Sequence, residues 1–175
     1  MALDRDLFVN IVKDAYSAYY TITDPLEEDA DLPMAFRAVY DARDERYFLT
    51  KSARIWENEK FEYAYVFSAP SFDIETAGRC MDRSLADMLP KVQPHKNHQY
   101  TNCKVILIAD EISDDIIELV KKRSFSKSYG FLSMHGYTEL LAAAVDVRRE
   151  KTYTNKVGNG LSKFFDKLFA LRREA

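Results

Sequence analysis

Cys103-Lys104-Val105-Ile106-Leu107-Ile108-Ala109 is the stretch whose reading decides the fold. From Val105 to Ala109 it is continuously apolar, rich in β-branched residues and without alternation, which predicts a strand covered on both faces. Such a strand lies inside a sheet with helices above and below it. Upstream, Ile74, Ala77, Met81, Leu85 and Met88 recur every three or four residues as far as Pro90, the spacing of an amphipathic helix, and Ala69-Pro70-Ser71 offers the stop and the cap before it. Before that helix, Phe61–Ser68 alternates Phe61, Tyr63, Tyr65 and Phe67 with Glu62, Ala64, Val66 and Ser68, a strand with two distinct faces. A helix joining two such strands predicts a right-handed parallel crossover. Met34–Asp41 and Glu45–Lys51 read as two further strands, and the short links among the three predict an antiparallel meander.

Further outward, Leu3, Leu7, Ile11 and Ala15, with Phe8, Val12 and Tyr19 beside them, make residues 1–20 an N-terminal amphipathic helix. Thr21–Pro33 carries five acids and two prolines and reads as a solvated acidic loop, and Lys91–Tyr100 as a polar connection. After the central strand, Ser113 caps a short helix holding Ile116, Ile117 and Val120, whose last turn, Lys121-Lys122-Arg123, complements the helix dipole. Tyr129–Met134 and Tyr137–Val147 read as strands around His135-Gly136, although the Leu and Ala of Glu139–Ala144 also suit a helix. Gly158 and Gly160 break the chain before a last amphipathic helix over residues 161–173. The expected fold is a single α/β (α+β) domain over residues 1–175: a three-layer mixed sheet, with an antiparallel meander, a parallel crossover strand and helices on both faces.

Of the 175 residues 47% are apolar and 30% charged, with only 5 Gly and 5 Pro, so collagen-like and low-complexity classes are excluded. The formal charge of −3 is too near neutral to point to a polyanionic partner, although residues 148–175 carry eight bases against three acids. Cys80 and Cys103 form no CxxC pair and suit a reducing compartment. Asp4, Arg5 and Asp6 interrupt the apolar stretch a signal peptide needs, and no apolar run approaches the roughly 20 residues of a membrane span. The expected setting is cytoplasmic.

In its element order the chain resembles the core of restriction-endonuclease-like nucleases. That resemblance implies an Asp on one strand and a Glu/Asp-x-Lys motif on the next, the carboxylates holding a divalent metal against a phosphate while the lysine steadies the attacking water. The nearest equivalents are Asp41 and Glu62, with Lys60 or Lys104 in the lysine's place, because Glu62 is followed by Tyr63 and Ala64. The bland alternative is an exposed strand-end Asp and a solvent-facing Glu. A divalent cation is implied only under the nuclease reading, and nucleic acid has no further support: no basic strand accompanies Tyr63 and Tyr65, which share a face with Phe61 and Phe67.

Other metal candidates are Asp110 and Asp114, where the central strand ends, and His95 with His98, an i, i+3 pair. Capping and a polar loop account for the same residues. Gly158, Gly160 and Ser162 could present N–H groups to an anion at the start of the last helix, or form a hinge. That helix carries Leu161, Phe164, Phe165, Leu168 and Phe169 along one stripe. It is a candidate interface with a protein partner or a second copy, and a core packing or an anionic membrane surface would use the same stripe. Nucleophilic catalysis has no motif. The leading expectation is a non-catalytic interaction or ligand-binding module; the alternatives are a metal-dependent phosphodiesterase, active or degenerate, and a sensor with its pocket near Asp110.

Overall fold

The computed structural model describes residues 3–42 and 59–174. They form seven strands, β1 (Thr21–Thr23), β2 (Met34–Asp41), β3 (Glu59–Ala69), β4 (His98–Ala109), β5 (Ser126–Ser128), β6 (Tyr137–Asp146) and β7 (Lys151–Thr154). Four α-helices accompany them: α1 (Arg5–Ser17), α2 (Ile74–Met88), α3 (Asp114–Lys122) and α4 (Asn159–Glu174). The sheet order is β1-β2-β3-β4-β6-β5, with β7 paired to the same outer edge of β6 as β5. β1, β2 and β3 run antiparallel, whereas β3, β4 and β6 are parallel. The crossover through α2 and the central place of Val105–Ala109 are as the sequence predicts, and the architecture is the expected three-layer mixed α/β sheet.

Each sheet face has its own core. Tyr65, Phe67, Cys103, Val105 and Leu107 pack under α2 and α3 with Cys80, Met81, Met88, Ile116 and Val120. On the other face Ala64, Val66, Ile106, Ile108, Ala143 and Val145 pack under α1 and α4 with Phe8, Val12, Leu161, Phe165 and Phe169. Period-two alternation along β3 and β4 sends successive side chains to opposite layers, so a strand buried on both sides shows no polar gap.

Several expectations change. In α1, which Asp4 caps, the buried stripe is Phe8, Val12 and Tyr16, packed on the sheet, while Leu7 is 53% exposed. Thr21–Pro33 is structured: it supplies β1, and Asp29 is buried, accepting from Arg37 Nη2 at 2.7 Å and from the Leu26 N–H at 2.8 Å. Helix α2 is capped by Asp73, not Ser71. β4 starts at His98, inside the stretch read as polar connection. Tyr129–Met134 is a tight turn beyond β5, not a strand; Glu139–Ala144 is strand, and β7 is an addition. Glu45–Lys51 lies outside the described residues, and β2 pairs directly with β3.

Leu161, Phe165 and Phe169, expected at an interface, are buried in the chain's own core, where the Phe169 ring stacks on Phe8 with centroids 4.6 Å apart. Phe164 and Leu168 remain half-buried. Among the described residues no helix is long and apolar enough to cross a membrane.

Cys80 and Cys103 are free and fully buried, and burial pushes the Cys80 thiol up to about 12 and raises Cys103 further. Native protein at pH 8 should therefore show almost no reaction with a disulfide reagent, since the thiolate is the nucleophile. Both thiols should react within minutes in guanidinium; rapid labelling of native protein would mean this core opens readily.

Candidate functional site: a polar-floored cleft under the ends of α1 and α4

Parity decides the first question. Across the β2/β3 pair Asp41 stands opposite Phe61 and Glu62 opposite Tyr40, so the Asp41 and Glu62 side chains leave opposite faces of the sheet. They cannot hold one metal, and the pairing expected from the nuclease resemblance fails on register. Glu62 instead meets Lys104, whose ammonium donates to Glu62 Oε2 at 2.5 Å and to the Tyr20 Oη at 2.9 Å. The Tyr20 hydroxyl in turn donates to Glu62. Lys60 lies on the same face, one step nearer the amino-terminal end of β3, opposite Tyr100.

This triad floors a cleft of about 440 Å³. Its walls are apolar: Tyr16 and Tyr19 come from α1 and its C-terminal turn, Leu141 from β6, Val157 from the loop after β7, and Leu161 and Phe164 from α4. The two helices cover the carboxyl-terminal half of this sheet face and stop short of its amino-terminal half, which is why the cleft opens at Glu62 and Lys104.

Beside Glu62 on the next strand stands Asn102, 9% exposed, with its side-chain oxygen buried and without a hydrogen-bond partner among the described residues. Tyr100 and Tyr137 follow toward the strand ends, their ring centroids 5.9 Å apart. Burial first, then the Glu62 carboxylate, pushes the Tyr100 phenol up to about 12, and the same two causes raise Tyr20 beyond that. Both phenols are therefore protonated donors at any physiological pH.

The remaining candidates are held apart and committed elsewhere. Asp110 accepts from Arg5 Nη1 at 3.0 Å, tying the start of α1 to the end of β4. Asp114 lines a recess of about 420 Å³ with Ser71, Glu111, Ile112, Ser113 and Arg149, polar side chains but for Ile112, and Glu111 pairs with Arg149 at 2.7 Å within it. His98 is buried with both ring nitrogens engaged: Nδ1 donates to the His135 carbonyl at 2.6 Å, and Nε2 accepts from the Thr101 hydroxyl at 2.8 Å. No lone pair is left for a metal. His95 pairs with Glu59 at 2.7 Å. Among the described residues no group of three or more metal-ligating side chains converges.

The expected anion site also fails at its first residue. The Gly158 N–H is already bonded to Asn155 Oδ1 at 3.0 Å, and a Cβ there would lie 3.0 Å from the Ala142 carbonyl, so this glycine serves close packing against β6. Gly160 borders the cleft with open space at its Cβ position. Ser162 lies one turn into α4 and is not among the cleft residues.

Tyr20, Tyr100 and Asn102 carry no motif. Tyr100 and Asn102 have one signal, the alternation Tyr100, Asn102, Lys104 leading into an apolar run, and Tyr20 has none.

Fold and cleft together define a three-layer α/β domain with a polar-floored pocket on one sheet face. Residues 4–167 match the model of the family described as a domain of unknown function, DUF8052, and the chain belongs to that family. No curated protein and no solved structure matches it.

Proposed function

We propose that this domain is a ligand-binding module whose cleft takes a small amphipathic molecule, an apolar body carrying a hydrogen-bond acceptor at one end. The observation that carries this reading is the Glu62-Lys104-Tyr20 triad at the bottom of an otherwise apolar cleft. Apolar walls supply affinity, and a few converging polar groups fix orientation, the usual make-up of small-molecule sites. Among the described residues two of the three Lys104 N–H groups are engaged, which leaves one for an acceptor on the ligand. The phosphodiesterase reading draws no support from Asp41 and Glu62 on opposite faces. Of the partner surface expected on the last helix only half-buried Phe164 and Leu168 remain, and Phe164 borders the cleft. A cytoplasmic setting remains part of this reading, supported by two free buried thiols.

Anilinonaphthalene sulfonate, with apolar rings and an acceptor sulfonate, tests the cleft by fluorescence titration. Wild-type protein should enhance the probe saturably. Gly160→Leu should reduce this enhancement about tenfold by projecting over the cleft, with the thermal transition no lower than wild type, since the Cβ position is open. No enhancement with wild type, or equal enhancement with the variant, would remove the cleft as the binding site.

A further inference from the structure

Three large apolar side chains stand out in water at one place, the turn between β5 and β6. Phe131 is 79% exposed, Leu132 81% and Met134 67%. The turn is built rather than slack. The Tyr129 N–H bonds the Gly136 carbonyl at 2.9 Å, the Met134 N–H bonds Phe131 at 3.0 Å, and the Gly136 N–H bonds Ser133 at 3.0 Å. The His135 carbonyl is gripped by the buried His98 ring. Leu132 and Ser133 sit in the left-handed region at φ 50° and 60°, a conformation costly for side chains other than glycine. Gly136, at φ 84°, lies so close to β4 that a Cβ would be 2.6 Å from the Gln99 and His98 carbonyl oxygens. A backbone held this way presents its apolar side chains outward instead of folding them back.

The chain that leads into this tip is basic. Between Glu118 and Glu139 the sequence has Lys121, Lys122, Arg123 and Lys127 and no acid. Lys127 stands three residues from the turn, over the Tyr129 ring at 5.2 Å. Lys121 lies over the Tyr153 ring. Lys122 pairs with Glu118 and Arg123 with Asp82 across exposed side chains, contacts worth little in water. An apolar tip carried on a basic strand and helix end matches an anionic lipid surface: the side chains enter the acyl boundary while the bases approach the headgroups.

We propose that the Phe131–Met134 turn is a membrane-surface anchor that inserts into anionic bilayers. The sequence alone points to a membrane surface only through the stripe of the last helix. The proposal is independent of the cleft: probe binding and vesicle binding succeed or fail separately.

Flotation with vesicles of phosphatidylcholine containing about 30% phosphatidylserine, against pure phosphatidylcholine, tests it at two salt concentrations. The full chain should float with the anionic vesicles and bind pure phosphatidylcholine at least about tenfold less, the difference shrinking in high salt. A triple variant, Phe131→Ser with Leu132→Ser and Met134→Ser, should lose anionic-vesicle binding by about tenfold or more with its thermal transition unchanged. As a second readout, Leu132→Cys labelled with an environment-sensitive fluorophore should shift its emission to the blue on anionic vesicles only. Absence of flotation by the wild type, equal flotation by the triple variant, or an unshifted label would overturn the proposal. So would a concentration-dependent dimer that the triple variant abolishes while vesicle binding persists, which would assign the tip to a second copy of the chain.

Discussion

Asn155→Ala is expected to cost about 3–5 kcal/mol, a large part of the 5–15 kcal/mol that holds a domain of this size folded. Asn155 follows β7 and is almost wholly buried. Its side-chain oxygen accepts from the Ala142 N–H at 3.1 Å and the Gly158 N–H at 3.0 Å, while its amide nitrogen donates to the Leu140 carbonyl at 2.7 Å and the Arg123 carbonyl at 3.1 Å. One side chain thus stitches three segments: the end of α3, the middle of β6 and the turn into α4. Alanine leaves the Ala142 N–H and the Leu140 and Arg123 carbonyls without the amide, while the Gly158 N–H keeps the Asn155 backbone carbonyl at 3.2 Å, and an unsatisfied buried group costs about 1–3 kcal/mol before any water relieves it. Asn155→Asp separates the two halves of this account. The carboxylate keeps both accepting bonds but turns an oxygen on two carbonyls, so it should be at least as destabilising at neutral pH and less so in acid, where a protonated carboxyl can donate once. Urea unfolding should show the midpoint falling with the slope unchanged. A loss below about 1 kcal/mol for Asn155→Ala would mean that water replaces the amide at little cost.

Nothing in the sequence marks Asn155, because its importance comes from four backbone groups that only the tertiary fold brings together. The legible parts are those where one pattern has one structural solution. Val105–Ala109 reads as a central strand since only a strand covered on both sides is short, β-branched and unbroken. Residues 139–144 are ambiguous by the same logic, Leu and Ala serving either a helix or a covered strand; pairing to β4 settles it, and the alanines suit a strand pressed between two helical layers. The α1 stripe is legible as helix and illegible in phase, since Leu3/Leu7/Ile11 and Phe8/Val12/Tyr16 are both apolar rows and only packing against the sheet and α4 chooses between them.

The candidate site divides on register. Asp41 and Glu62 look like a metal pair because each sits on a strand, yet the face a residue takes depends on one unit of pairing register, which a single sequence does not specify. Glu62 and Lys104, 42 residues apart and on neighbouring parallel strands, are both legible as charged residues of one nuclease-like site, a metal ligand and its lysine, but not as an ion pair. Their contact follows from the parallel pairing of Ala64 with Lys104. Tyr20 joins them because α1 runs back across the sheet and delivers its C-terminal turn there.

The second large effect is expected at this pair, and it discriminates between a structural and a functional reason for keeping it. Both side chains are mostly buried, at 13% and 16% exposure. Lys104→Met alone leaves Glu62 as an uncompensated charge facing two tyrosines and should cost about 3 kcal/mol. Replacing both, Glu62→Leu with Lys104→Met, together with Tyr20→Phe to remove the stranded hydroxyl, should return stability to within about 1 kcal/mol of wild type, because desolvating two charges offsets most of their attraction. In the probe titration Lys104→Met and the apolar triple variant should both lose binding, although one is unstable and the other is not. A triple variant that folds as well as wild type and cannot bind would mean that the charges are kept for the ligand and not for the fold. Recovery of neither stability nor binding would instead make the pair a structural feature of this sheet face, and the cleft above it would lose the polar floor on which the binding reading rests.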